Sequence, residues 1–96
     1  MKYLILDGYL SGTGIRDGIE GGYIGLENFK ISSTIKNKII DWVFKYENEF
    51  YNGYSDNMKV DELDSEGKAI AILLKKELPN AKIEYYSDAK MLKTII

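Results

Sequence analysis

Near the start of the chain, Asp7, Asp17 and Glu20 fall close to Arg16, the residue types from which acid–base catalysis or a magnesium site is built. They stand in a segment, residues 8–25, that holds seven of the nine glycines, and carboxylates in such a setting usually form turns. Nothing in their spacing fixes a mutual geometry. Gly12-Thr13-Gly14 is a fragment of a phosphate-binding loop. A dinucleotide fingerprint needs a third glycine three places on and a helix directly behind it, because the helix N-terminus holds the pyrophosphate. Here Gly18 comes one place late, no helical period succeeds it, and the Gly-Lys-Ser/Thr ending of a Walker loop is absent. The stretch therefore reads as a loop. The chain has no cysteine and no histidine, which removes thiolate nucleophiles, the usual near-neutral general base and the commonest transition-metal ligands. The expectation is a protein that is not an enzyme, with no cofactor and no metal site.

A different group of side chains draws attention. Residues 47–66 hold seven carboxylates and one lysine, whereas the segments on either side are slightly basic. Glu47, Glu49, Tyr51, Tyr54, Asp56, Asp61, Glu62 and Asp64 lie in this block, with Glu66 at its end. Tyrosines give large contact area at low entropic cost, and carboxylates steer a basic partner and raise its rate of association. The block reads as a protein-binding surface, against the plainer alternative of a solvated loop leading into a capped helix.

The elements that must carry these residues emerge from apolar spacing. Ile31, Ile35, Ile39, Trp42, Val43, Tyr46 and Phe50 recur as one helical face, with Ser32 or Ser33 placed to cap it. Trp42, mid-stripe, is the expected centre of the core, and the face bearing Lys36, Lys38, Asp41, Lys45 and Glu49 is expected to be wet. Gly53 suits a left-handed stop, and a second helix is expected from Asp61, its cap, with Leu63, Gly67, Ile70, Ala71, Leu74 and Leu78 as its buried stripe and Pro79 as its end. Lys2–Asp7 reads as a buried strand, and residues 81–86 alternate as a second strand. A further short strand is expected at Tyr23–Leu26, and the tail from Ser87 reads equally as a helix, an edge strand or a docking segment. With two helices between them, the N-terminal and C-terminal strands are expected to be parallel neighbours. The fold class is α+β, a small two-layer sandwich of two antiparallel helices on a small sheet, forming one domain over residues 1–96.

Composition sets the outer bounds. At 96 residues, with 45% hydrophobic and 29% charged side chains, the chain suits one folded domain. No window approaches the roughly 20 apolar residues of a membrane span, and Asp7 interrupts the first apolar run, unlike a secretory signal. A cytoplasmic protein without membrane contact is expected. Nucleic-acid binding needs basic residues interleaved with aromatics, but with lysines at Lys36, Lys38, Lys45, Lys75 and Lys76 the aromatics expected to be exposed lie in the acidic block instead. No nucleic-acid partner is expected.

The order of segments resembles a known group. The serine-started helix with Ile35, Ile39, Trp42 and Tyr46, a polar loop, then Glu66-Gly67-Lys68-Ala69-Ile70-Ala71 through Lys76-Glu77-Leu78 into Lys82-Ile83-Glu84-Tyr85, is similar to small bacterial immunity proteins of polymorphic toxin systems, including contact-dependent inhibition and Maf-type systems. The resemblance spans residues 31–86 and rests on helix-packing positions. It implies a small, cytoplasmic, non-enzymatic inhibitor dedicated to one cognate secreted toxin, in this group often a nuclease, whose cleft for phosphates would be basic, and it carries over no binding residue by position. The alternative reading is a small α+β regulatory or homodimerising interaction module.

Overall fold

The computed structural model describes residues 2–96, whose order is β1 (Tyr3–Asp7), β2 (Ile15–Asp17), a 3₁₀ turn (Leu26–Asn28), α1 (Ser33–Tyr51), α2 (Asn57–Glu77), β3 (Lys82–Ser87) and β4 (Leu92–Ile95). α1 starts where its sequence says it should, with Ser32 Oγ accepting from the Ile35 N–H at 3.3 Å. Its buried stripe is Ile35, Ile39, Trp42, Val43, Tyr46 and Glu49. Trp42 is fully buried among residues of both helices and the sheet, and its indole N–H donates to the Leu63 carbonyl at 2.8 Å, so the polar atom it carries into the core is satisfied. Gly53 and Tyr54 both have positive φ, +70° and +54°, and together they turn the chain out of α1.

α2 begins a turn earlier than its apolar stripe suggests. The cap is Asp56, whose carboxylate accepts from the backbone N–H groups of Met58 and Lys59, and Asp61 lies inside the helix. α1 and α2 form a helical hairpin joined by residues 52–56, tied across by Trp42 with Leu63 and Lys45 with Glu66. Gly67 lets α2 lie close to the sheet: a Cβ there would come within 2.8 Å of Trp42 Cζ2 and overlap the Tyr85 ring.

The sheet has the order β2-β1-β3-β4, with β1 and β3 parallel and the outer pairs antiparallel. Leu4 and Leu6 of β1 pair in register with Ile83 and Tyr85 of β3, and these four buried side chains meet the helices. The N-terminal and C-terminal strands are thus neighbours in a two-layer α+β fold. The second strand is not Tyr23–Leu26. Ile15–Asp17 pairs with β1, and Tyr23 contributes only a bridge to Arg16, because Asp17 accepts from the Ile19 and Glu20 N–H groups and closes the turn at once. The tail resolves as β4, an edge strand on β3. Among the described residues, no helix is long and apolar enough to cross a membrane.

Candidate protein-binding surface

The hairpin places the acidic block at the end of α1, the connection, and the first turns of α2. Chain neighbours that read as one patch separate there into side chains turned outward and side chains turned in.

Asp64 is the clearest case of the second kind. The spacing of α2 puts it one position after Leu63 and three before Gly67, on the buried stripe, and only 4% of it is exposed. Tyr46 from α1 and Tyr85 from β3 donate to Oδ1 at 2.9 and 2.6 Å, and Ser87 donates to Oδ2 at 2.8 Å. Lys90 stands 3.6 Å from Oδ2. A carboxylate with three hydroxyl donors and a cation is an internal junction between helices and sheet, not a contact surface. Burial and the Asp64 charge push the Tyr85 hydroxyl pKa well above its ordinary value, and burial raises Tyr46 to about 12.

Glu49 is the second correction. Its expected place is the wet face, but it lies three residues after Tyr46 and seven after Trp42, and it is 5% exposed. Tyr54 also turns inward in part. Its ring packs between those of Tyr46 and Phe50 and its hydroxyl donates to Asp88 at 2.5 Å, and burial, then this hydrogen bond, raise its pKa. Asp61 is exposed but paired with Lys90 at 2.5 Å, which raises the Lys90 pKa.

Tyr51, Asp56 and Glu62 remain outward and Glu47 is half-buried, and among the described residues none of these three carboxylates has an ion-pair partner. The structure adds apolar neighbours that a search for one amphipathic stripe does not find. Ile40, Phe44, Glu47 and Tyr51 succeed one another at helical steps of four, three and four, away from the buried stripe of α1. Phe44 is 65% exposed, Tyr51 73%, and Met58, at the start of α2, 75%. Phe50, expected in the core, lies half out at the hairpin end against Tyr51 and Tyr54. The signal for this second, outward stripe is present in the spacing of α1 itself.

Between the helices runs a cleft of about 290 Å³, lined by Lys45, Asn48, Glu49, Lys59, Glu62 and Glu66 with Leu63. Lys45 spans it to Glu66 at 2.6 Å, while Lys59 approaches Glu49 Oε1 only to 3.9 Å.

The carboxylates near the N-terminus have separate surroundings, Asp7 lining a pocket with Arg16, Tyr23 and Asp88 that Asp17 and Glu20 do not line. Asp7 is buried, held by the Tyr23 hydroxyl at 2.6 Å and by Arg16 at 3.3 Å. That contact and burial together raise the Tyr23 pKa, burial being the larger cause. Asp17 is committed to its turn, whose N–H groups lower its pKa, and Glu20 is exposed. In the Gly12-Thr13-Gly14 stretch, Thr13 donates to the Ile24 carbonyl at 2.6 Å, and the next element is β2, not a helix. Among the described residues, no three metal-ligating side chains converge. No protein-family model matches the chain, and no curated protein matches it.

Proposed function

We propose that this chain is a non-enzymatic, protein-binding inhibitor of the immunity type, which neutralises a cognate secreted toxin, a basic nuclease domain, by direct contact through the end of its helical hairpin. The observation that carries the reading is the exposure of Phe44, Tyr51 and Met58 on a helical hairpin that also bears Glu47, Asp56 and Glu62, carboxylates without an ion-pair partner among the described residues. Exposed apolar side chains on a hairpin that also carries carboxylates without ion-pair partners fit a partner that presents a cationic cleft. A nuclease must present such a cleft to phosphates, and occupying its rim excludes nucleic acid by charge as well as by bulk. The inhibitor would act in the cytoplasm, where such a toxin does its damage.

The test is co-expression with the product of the gene immediately upstream, scored by growth. The intact chain should protect, and the Glu47→Lys, Glu62→Lys, Tyr51→Ala variant, folded by circular dichroism, should not. Protection by that variant would place the interface elsewhere.

A specific observation favours a second reading, self-association. Met91, Leu92 and Ile95 on and beside the edge strand β4 are exposed, and Ile72 of α2 is exposed as well. An edge strand with apolar side chains can pair with its copy. Light scattering at increasing concentration separates a monomer from that dimer.

A further inference from the structure

Glu49 is anomalous among the buried acids. Its Oε2 accepts no hydrogen bond from the described residues, and its one ion-pair contact is the flexible, largely exposed Lys59 at 3.9 Å. A buried carboxylate normally carries two or three donors, as Asp64 does. An unsatisfied one is costly to keep. The group lines the interhelical cleft, where carboxylates outnumber lysines three to two.

We infer that this cleft is a receptor for one arginine side chain of a partner protein, with Glu49 as the carboxylate that receives the guanidinium. The inference deepens the protein-binding reading above and rests on it for the source of the arginine. A guanidinium offers a planar fork that matches both oxygens of a carboxylate, and it sheds water more readily than an ammonium does. The five donors exceed what Glu49 can accept, and the surplus has acceptors in Asn48 and Glu62 on the cleft walls. Leu63 supplies apolar surface for the methylene stem. The volume equals that of roughly ten waters at about 30 Å³ each, enough for a guanidinium and part of its stem. Lys59 gives way easily, being bound to Glu49 only at long range. A lysine is the poorer guest, since the cleft already holds Lys45 and Lys59, and neither donates a hydrogen bond to Glu49.

The probe is the peptide acetyl-Gly-Arg-Gly-amide, titrated into the full chain by NMR, against the same peptide with lysine or with neutral citrulline. With arginine, saturable shifts should be confined to the cleft residues. The lysine and citrulline peptides should bind at least tenfold more weakly, as should the arginine peptide to Glu49→Gln, while Glu27→Gln, far along the chain on the 3₁₀ turn, should bind like the parent. In addition, Glu49→Leu should melt at or above the temperature of the parent, the opposite of what loss of a structural contact would do. Equal response to arginine and lysine, an unchanged titration of Glu49→Gln, or a lower melting temperature for Glu49→Leu each overturns the inference. Because the probe is a peptide, a chain that protects against no toxin yet still grips arginine would sink only the inhibitor reading, and protection without arginine binding would sink only the cleft.

Discussion

Asp64 and Glu49 are both carboxylates on core-facing helix positions, with 4% and 5% of their surface exposed, and both come from the same acidic block. Asp64 is surrounded by three hydroxyl donors drawn from α1 and β3, with a lysine beyond them. Glu49 faces a cleft and touches one distant lysine. Equal burial with unequal satisfaction separates two uses of a charge. The first ties elements together and belongs to the fold. The second leaves bonding capacity unused, and a fold under selection for stability alone would have replaced it with an apolar side chain.

The contrast breaks most visibly at Asp64. Asp64→Ala strands the hydroxyls of Tyr46, Tyr85 and Ser87 in the core, and is expected to lower unfolding stability by about 3–5 kcal/mol in urea titration. A loss under about 1 kcal/mol would mean that water enters the site and that the cage is not structural. Tyr85→Phe removes one donor while keeping the ring against Trp42, and should cost about 1–3 kcal/mol by the same measurement.

The same hydroxyls set an alkaline limit. Tyr46, Tyr54 and Tyr85 hold their protons in the folded chain above the ordinary value of 10.0, Tyr46 to about 12, mainly because burial disfavours the phenolate. In the unfolded chain they ionise near that ordinary value. Their contribution is therefore fully present below pH 10.0 and declines above it, that of Tyr46 being lost as the pH rises through about 12 and those of Tyr54 and Tyr85 persisting further. Melting temperatures followed by circular dichroism should fall steeply across that interval, and Tyr85→Phe should flatten the fall. A melting temperature constant to pH 12 would contradict the buried, neutral state of these rings.

Glu49→Leu supplies the opposite sign. Removing an unsatisfied buried charge at a core-facing position should leave stability unchanged or raise it by about 1 kcal/mol in urea titration. A loss of about 2 kcal/mol or more would erase the distinction between the two carboxylates.

The sequence makes these two residues look alike, and the reason is physical. Helical spacing places Ile35, Ile39, Trp42, Val43 and Tyr46 on the buried stripe of α1, and the pairing of β1 with β3 is implied by the two helices lying between them. Those features are legible because apolar period and connection length are properties of the chain itself. At the end of α1 the spacing offers both Glu49 and Phe50, and hydrophobicity favours Phe50. The hairpin admits Glu49 instead, with Lys59 from α2 arriving beside it, a contact set by tertiary packing. Asp64 suits the dipole of a helix starting at Asp61, but the start moves to Asp56 once the residues 57–60 join the helix. Its three donors come from sequence positions 46, 85 and 87, far apart in the chain. The hairpin-end surface is legible in part: Tyr51, Asp56 and Glu62 are exposed and Glu47 half-buried, and the spacing of α1 carries Phe44 to the outward face, whereas Met58 requires the earlier start of α2 to be recognised as exposed.

Asp61 gives the smallest expected effect on stability and the finest test of what the outward charges do. Its pair with Lys90 is short, at 2.5 Å, but both side chains are exposed, and solvent screening leaves such a pair little weight in stability. Asp61→Asn should shift unfolding stability by less than about 0.5 kcal/mol. Its partner is the more telling change. Lys90→Ala unmasks Asp61 and adds one negative charge to the hairpin end, so it should speed association with a basic partner at low salt, whereas Asp61→Asn should slow it. Both differences should shrink as salt screens charges over the Debye length, about 8 Å at physiological ionic strength. Stopped-flow association rates across a salt series separate the two, and rates that ignore both variants would mean that the partner meets another face of the molecule.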